Sequence, residues 1–156
     1  MSHEHKATIS WKLEGTEFLK GRYSREHTWS FDGGLTIPAS PSPTVVPKPW
    51  SNAAHVDPEE AFVASIASCH MLTFLWVTSR GGYTLSSYSD EAVGEMTKNE
   101  RGAMWVSKVT LNPQLVWSGE RVPTAEEIAA LHHKAHEECF IANSVKTEVR
   151  VAVVPH

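Results

Sequence analysis

The sequence predicts an α+β fold in which mostly antiparallel sheets are covered by two main helices, the first central and buried. Three observations carry that expectation. A capped, almost wholly apolar run, DPEEAFVASIASCHMLTFLWVTSR, spans Asp57 to Arg80. A second capped segment opens at Thr124. Strand-like alternation of apolar and polar residues recurs around both.

The first helix is legible at both ends. Asp57 suits the N-cap, Pro58 the first helical position and Glu60 the third, which completes a capping box. Glu59 falls in the same turn, where the helix dipole favours negative charge. Arg80 followed by Gly81-Gly82 marks the other end. Between them, Ala61 to Val77 is apolar on nearly every face, and a helix of that kind is expected inside the protein. A membrane span is disfavoured, because these 17 residues include two Ser, one Thr, one His and one Cys. A bilayer needs ~20 mostly apolar residues.

The remaining elements follow in order. Residues 7–14, with Ala7, Ile9, Trp11 and Leu13 alternating, and residues 26–36, folded about Asp32-Gly33-Gly34, predict an N-terminal β-rich region. Five prolines between Pro38 and Pro49 predict an irregular covering loop that ends at Trp50. Residues 83–97 and 103–117 read as two long strands joined by the turn Lys98-Asn99-Glu100-Arg101-Gly102, with Pro113 marking an edge or bulge. Thr124 and Glu127 form a second capping box, opening a helix that runs to about His136 or Cys139. Lys146 to Val154 is the closing strand.

Composition narrows the function classes. The 156 residues fit one domain, and a net charge of −4 without long runs of either sign points away from nucleic acid and from a polybasic membrane anchor. The stretch MSHEHKATIS lacks the apolar segment of a signal peptide, so a cytoplasmic location is expected. Two cysteines in a reducing compartment are more often reactive or ligating than bridged, although plain burial accounts for many single cysteines.

Three chemistries compete for these residues. If Cys69 and Cys139 meet, one thiol can attack an oxidised substrate and the other can resolve the sulfenic acid. A buried thiol needs a cation for that work, and Arg25 or Arg22 is the candidate, held by Glu59. Alternatively His132, His136 and Cys139, at i, i+4 and i+7, form a zinc-suited face with His70 or Cys69 as a fourth ligand, or simply a solvated helix face. The third chemistry is a Cys/His hydrolase or transferase. It is weakened because neighbours Cys69 and His70 point ~100° apart on a helix, so His55 or His136 would have to serve as the base.

DPEEAFVASIASCH resembles the segment of the OsmC/Ohr family (osmotically induced protein C and organic hydroperoxide resistance protein) that reads N-P-E-E/Q-L-x-A-A-x-x-A-C. AHEECFIANSVKTEVRVAV resembles that family's second motif, A-x-x-x-C-P-x-S-x-x-L with the last strand. The resemblance implies an OsmC-like fold, with Cys69 as peroxidatic thiol, Cys139 as resolving thiol, Glu59 as site carboxylate, and Arg25 as site arginine with Arg22 in reserve. It further implies a cofactor-free peroxidase of organic or lipid hydroperoxides that is regenerated by an external dithiol and built as an intertwined homodimer. Phe62, Ile66, Leu72, Phe74 and Trp76 would then line an alkyl pocket or fill the core. The chain departs from the pattern at Phe140, where proline is usual, at His70, and in the proline-rich loop. One helical constraint is independent of the resemblance: Glu59 and Cys69 stand ~15 Å apart along the axis, which favours a site completed at a subunit interface.

Overall fold

The computed structural model describes residues 1–152 and divides the chain into two compact units, Met1–Ala61 and Phe62–His156. The first holds a three-stranded antiparallel sheet, β1 (Ala7–Ser10), β2 (His27–Phe31) and β3 (Thr36–Ala39), in the order β1-β2-β3. The β2–β3 hairpin turns through Gly34, whose φ of 95° is open to glycine at no steric cost. Strand β1 is shorter than the alternation predicts. It ends where Ser10 meets Thr28, and Trp11 leaves the ladder to donate its indole N–H to the Ser24 carbonyl at 2.9 Å.

The proline-rich connection is fastened to the sheet. Ser40 N–H bonds the Val56 carbonyl at 3.0 Å, the Ser40 hydroxyl accepts from Asn52 N–H at 2.8 Å, and the Ser51 hydroxyl donates to the Val46 carbonyl at 2.6 Å. Both serines are buried. Prolines lack the donors that a regular ladder would need, and side-chain bonds take over that role.

Helix α1 (Pro58–Arg80) begins with the predicted box: Glu60 N–H bonds Asp57 Oδ1 at 2.8 Å, and Asp57 N–H bonds Glu60 Oε2 at 3.2 Å. It ends in a Schellman motif. Tyr83 N–H reaches the Thr78 carbonyl, Gly82 N–H reaches Ser79, and Gly82 holds φ 82°. Its buried face, Ile66, His70, Phe74, Val77 and Thr78, feeds both cores of the second unit. By length and composition alone α1 could cross a membrane, but the stripe it buries here packs on protein. The opposite face leaves Leu72, Leu75 and Trp76 exposed.

The two long strands each divide in two. Residues 83–97 become β4 (Thr84–Asp90) and β5 (Val93–Lys98), and residues 103–117 become β6 (Met104–Leu111) and β7 (Pro113–Ser118). Strands β4 and β7 pair with each other, while β5, β6 and β8 (Glu148–Val151) form a separate three-stranded sheet. The break has a local cause. Pro113 offers no N–H, and Asn112 bridges the kink, its backbone N–H on Asp90 Oδ1 at 2.7 Å and its side-chain amide on the Glu91 carbonyl at 2.9 Å. Strand β8 runs parallel to β6, and the predicted strand end at Val153 and Val154 lies outside the described residues. Ile66, Val109 and Leu111 centre one core, and Phe74, Val77 and Ala135 the other.

Helix α2 (Ala125–Glu138) starts at the Thr124–Glu127 capping box and packs Ile128, His132 and Ala135 inward. Cys139 is its C-cap, followed by a 3-10 turn at Ala142–Ser144.

Candidate functional site

Two groups of chemically capable side chains emerge, one in each unit. In the second unit, α1 presents Cys69 and the end of α2 presents Cys139. Both are free thiols, the first partly exposed and the second fully buried. Burial pushes the Cys139 thiol above its ordinary value, and the influence of the Cys69 thiol runs in the same direction. Backbone N–H groups of the turn after α2 act the other way: Ala142 N–H points at Cys139 Sγ from 3.5 Å, and Ile141 N–H assists. The helices that carry the two thiols are joined by the His70–His132 contact at 3.0 Å.

The histidines around this pair are arranged otherwise than a zinc site or a solvated face requires. His132 is buried, its Nδ1 3.0 Å from Nε2 of buried His70, and its ring lies 4.1 Å from that of Phe74. Desolvation lowers both rings to about 4, each helped by a neighbouring imidazole, His136 for His70 and His70 for His132. His133 points outward to Glu137 at 3.1 Å. Among the described residues no three His, Cys, Asp or Glu side chains converge, and His132, His136 and Cys139 are not gathered into one ligand set. Helical rows explain this: His70 stands in line with Ile66 and Phe74, and His132 with Ile128 and Ala135, both on packed faces. A histidine at an apolar stripe position is the signal that sequence reasoning passed over, along with the His70–His132 contact itself. His70 Nε2 is engaged across the helix pair, and as the helical neighbour of Cys69 the ring does not face that thiol.

In the first unit Arg25 lines a cavity of about 490 Å³ with Trp11, Phe18, Tyr23, His27, Pro41, Val46 and Pro58. Its guanidinium donates to the Gly21 and Tyr23 carbonyls at 2.9 and 2.6 Å and stacks on the Tyr23 ring at 3.7 Å. Neutral carbonyls orient this charge without cancelling it. Among the described residues no carboxylate lies within ion-pair distance, in a wall that is otherwise largely aromatic and aliphatic. The backbone of Arg25 is fixed as well, its N–H on the Trp50 carbonyl and its carbonyl on His27 Nδ1 at 2.7 Å. His27 Nε2 accepts from Trp29 at 3.0 Å, which makes Nδ1 the protonated nitrogen.

The alternative arginine is placed differently, for Arg22 meets Glu17 at 3.5 Å with both side chains exposed. Glu59 occupies the first turn of α1, and among the described residues its carboxylate joins no ion pair with Arg25. A polar cluster not anticipated from the sequence joins Glu26 to Asn52 at 2.8 Å and to His55 at 3.4 Å, with the Ser24 hydroxyl on its second oxygen. The Asn52 and Ser24 bonds hold the Glu26 carboxyl below the usual range. His55, the candidate base, thus stands in the first unit with its Nδ1 3.4 Å from Glu26.

A sequence profile described as OsmC-like protein matches residues 51–154. An OsmC-like protein of unknown function from Vibrio cholerae O1 biovar eltor is 52% identical over 98% of this chain and 100% of its own, with a TM-score of 0.94. An organic hydroperoxide resistance protein OsmC from Legionella pneumophila is 18% identical over 98% of both chains, TM-score 0.71. The organic hydroperoxide resistance protein OhrB of Bacillus subtilis is 18% identical over 96% of both, TM-score 0.62. At 18% identity these last two likenesses are of fold alone. No functionally curated protein matches the sequence.

Proposed function

Because the chain belongs to the OsmC-like family, whose profile spans residues 51–154, we propose that it is a thiol-dependent peroxidase that reduces organic or lipid hydroperoxides. The observation that carries this reading is the pair of free thiols, Cys69 on α1 and Cys139 at the end of α2, on helices joined by the His70–His132 contact, in a protein whose fold is shared with hydroperoxide resistance proteins. In this reading the partly exposed Cys69 attacks as thiolate on the terminal peroxide oxygen. The O–O bond breaks, the alcohol leaves with a proton, and sulfur becomes a sulfenic acid. Cys139 then attacks that sulfur, water departs and a disulfide forms.

Arg25 serves as the charge that favours the thiolate and the developing alkoxide, a role that suits a guanidinium held by carbonyls and lacking a carboxylate partner. Glu59, which joins no ion pair with this arginine in the single chain, is proposed to engage it only once the site is assembled. An external dithiol restores the cysteines, no cofactor takes part, and the location is cytoplasmic. We further propose a homodimer that covers Leu72 and Trp76, which are 60% and 58% exposed in the single chain.

The test is consumption of cumene or fatty-acid hydroperoxide with a dithiol present. Wild type is expected to turn over repeatedly and Cys69→Ser to be inert. Equal behaviour of the two proteins would end the peroxidase reading. Light scattering expected to give a mass near twice the 17.3 kDa of the chain tests the dimer.

A further inference from the structure

Resting on the two-cysteine cycle above, we infer that the regenerating thiol attacks Cys69 Sγ and not Cys139 Sγ, so that the mixed disulfide is carried by Cys69 and Cys139 is the leaving group. Disulfide exchange needs an attacking thiolate to reach one sulfur in line with the bond it breaks, so access decides which sulfur is struck. The two sulfurs differ sharply in access. Cys139 is 0% exposed, closed in by the end of α2 and by the turn whose Ala142 N–H rests on its sulfur, whereas Cys69 is partly open.

On α1 before Cys69 stand Ser65 and Ser68, both exposed and outside the Leu72–Trp76 patch that the proposed dimer covers, and α1 carries no Asp, Glu, Lys or Arg between Ala61 and Ser79. An incoming thiolate therefore meets small or apolar side chains of that helix and no charge on it. Leaving-group chemistry runs the other way, because burial raises the Cys139 thiol and a weaker acid departs more slowly. The fold offsets this at the point where the charge appears, since the Ala142 and Ile141 N–H groups face the sulfur that must receive the electron pair.

The steps balance as follows. The first sulfur of a dithiol bonds to Cys69 Sγ, the Cys69–Cys139 bond breaks, and its electron pair goes to Cys139, which takes up the proton that the attacking thiol had lost. The second sulfur of the dithiol then attacks the first, releasing Cys69 as thiolate and closing the reductant into a cyclic disulfide. Two electrons pass from the dithiol to the cysteine pair.

A monothiol stops this sequence halfway and gives the test. Protein is oxidised to the disulfide with diamide, separated, exposed briefly to 2-mercaptoethanol, quenched in acid and mapped by peptide mass spectrometry. The adduct is expected on the Cys69 peptide in at least tenfold excess over the Cys139 peptide. Equal labelling, or an excess on Cys139, overturns the inference. Unfolding in urea before the thiol is added removes the difference in access and should bring the two adducts within about twofold. A preference for Cys69 that persists in urea would place the choice in local sulfur chemistry and also overturn the inference. Diamide keeps this test separate from the peroxidase reading: if hydroperoxide fails to join the cysteines while diamide joins them, only the peroxidase reading falls. If diamide cannot join them, both fall.

Discussion

Mild acid should loosen this protein well before its carboxylates titrate, and the His70–His132 contact sets the size of the effect. Both rings are nearly inaccessible, 1% and 5% exposed, and each takes a proton only near pH 4 in the folded protein. In the unfolded chain a histidine takes one near pH 6.5. The folded value is depressed, so stability is complete above pH 6.5 and declines as pH falls, because the unfolded chain binds protons that the fold refuses. For one ring the loss is about 2 kcal/mol by pH 5 and about 3 kcal/mol by pH 4. The two rings do not simply add, since the first proton can be shared across the 3.0 Å contact. Even one ring's share is large against the roughly 5–15 kcal/mol of an ordinary domain. Asp90, raised by burial, works in the opposite sense and offsets part of the histidine loss, while lowered Glu26 and Glu127 enter only in stronger acid. Urea melts followed by tryptophan fluorescence at pH 7.5, 6.5, 5.5 and 5.0 measure this directly. The expected result is a constant midpoint down to about pH 7, then a steady fall. His132→Phe, which keeps a flat ring against Phe74, should lower stability at pH 7.5 yet flatten the pH dependence. An unchanged midpoint from pH 7.5 to 5.0 would refute the reasoning.

Three further outcomes are expected. Gly94→Ala places a Cβ about 2.5 Å from Val63 Cγ2, and overpacking against a stiff β-branched side chain should cost about 1–3 kcal/mol, with Val63→Ala added to the same chain restoring most of the lost melting temperature. Arg25→Lys keeps the charge but loses the stacking on Tyr23 and one of the two carbonyl bonds, so kcat/KM for hydroperoxide should drop about 10- to 100-fold while circular dichroism stays unchanged. Without dithiol, Cys139→Ser should consume about two equivalents of hydroperoxide, the first giving a sulfenic acid on Cys69 and the second a sulfinic acid, and then stall, the Cys69 peptide gaining the mass of both oxygens.

How much was readable in the sequence depended on whether the signal was local. Both capping boxes and the Gly81-Gly82 stop are short-range bonds between residues at fixed spacing, and each stands where its residues predict. The hairpin at Asp32-Gly33-Gly34 is similarly self-contained. The split of the two long strands was not legible, because alternation continues through Glu91-Ala92 and only Pro113 hints at a break. What divides them is a bond between Asn112 and Asp90, 22 residues apart. The His70–His132 contact spans 62 residues and both histidines sit on apolar rows, so i, i+4 spacings on α2 alone offered a zinc face or a solvated face and not the core contact. The exposed Leu72–Trp76 face shows the limit of composition: an all-apolar helix announces that its faces want cover, without saying that one chain supplies all of it.

The joining of the two cysteine-bearing helices also has a bearing on time. Where a resolving thiol is held far from its partner, part of the fold must melt before the sulfenic acid is captured, and a second peroxide molecule competes during the delay. Here the His70–His132 contact already joins the helices that carry the two thiols before oxidation begins. In the proposed cycle a sulfenic acid on Cys69 is accordingly short-lived, and the yield of irreversible sulfinic acid should stay low as the peroxide dose rises.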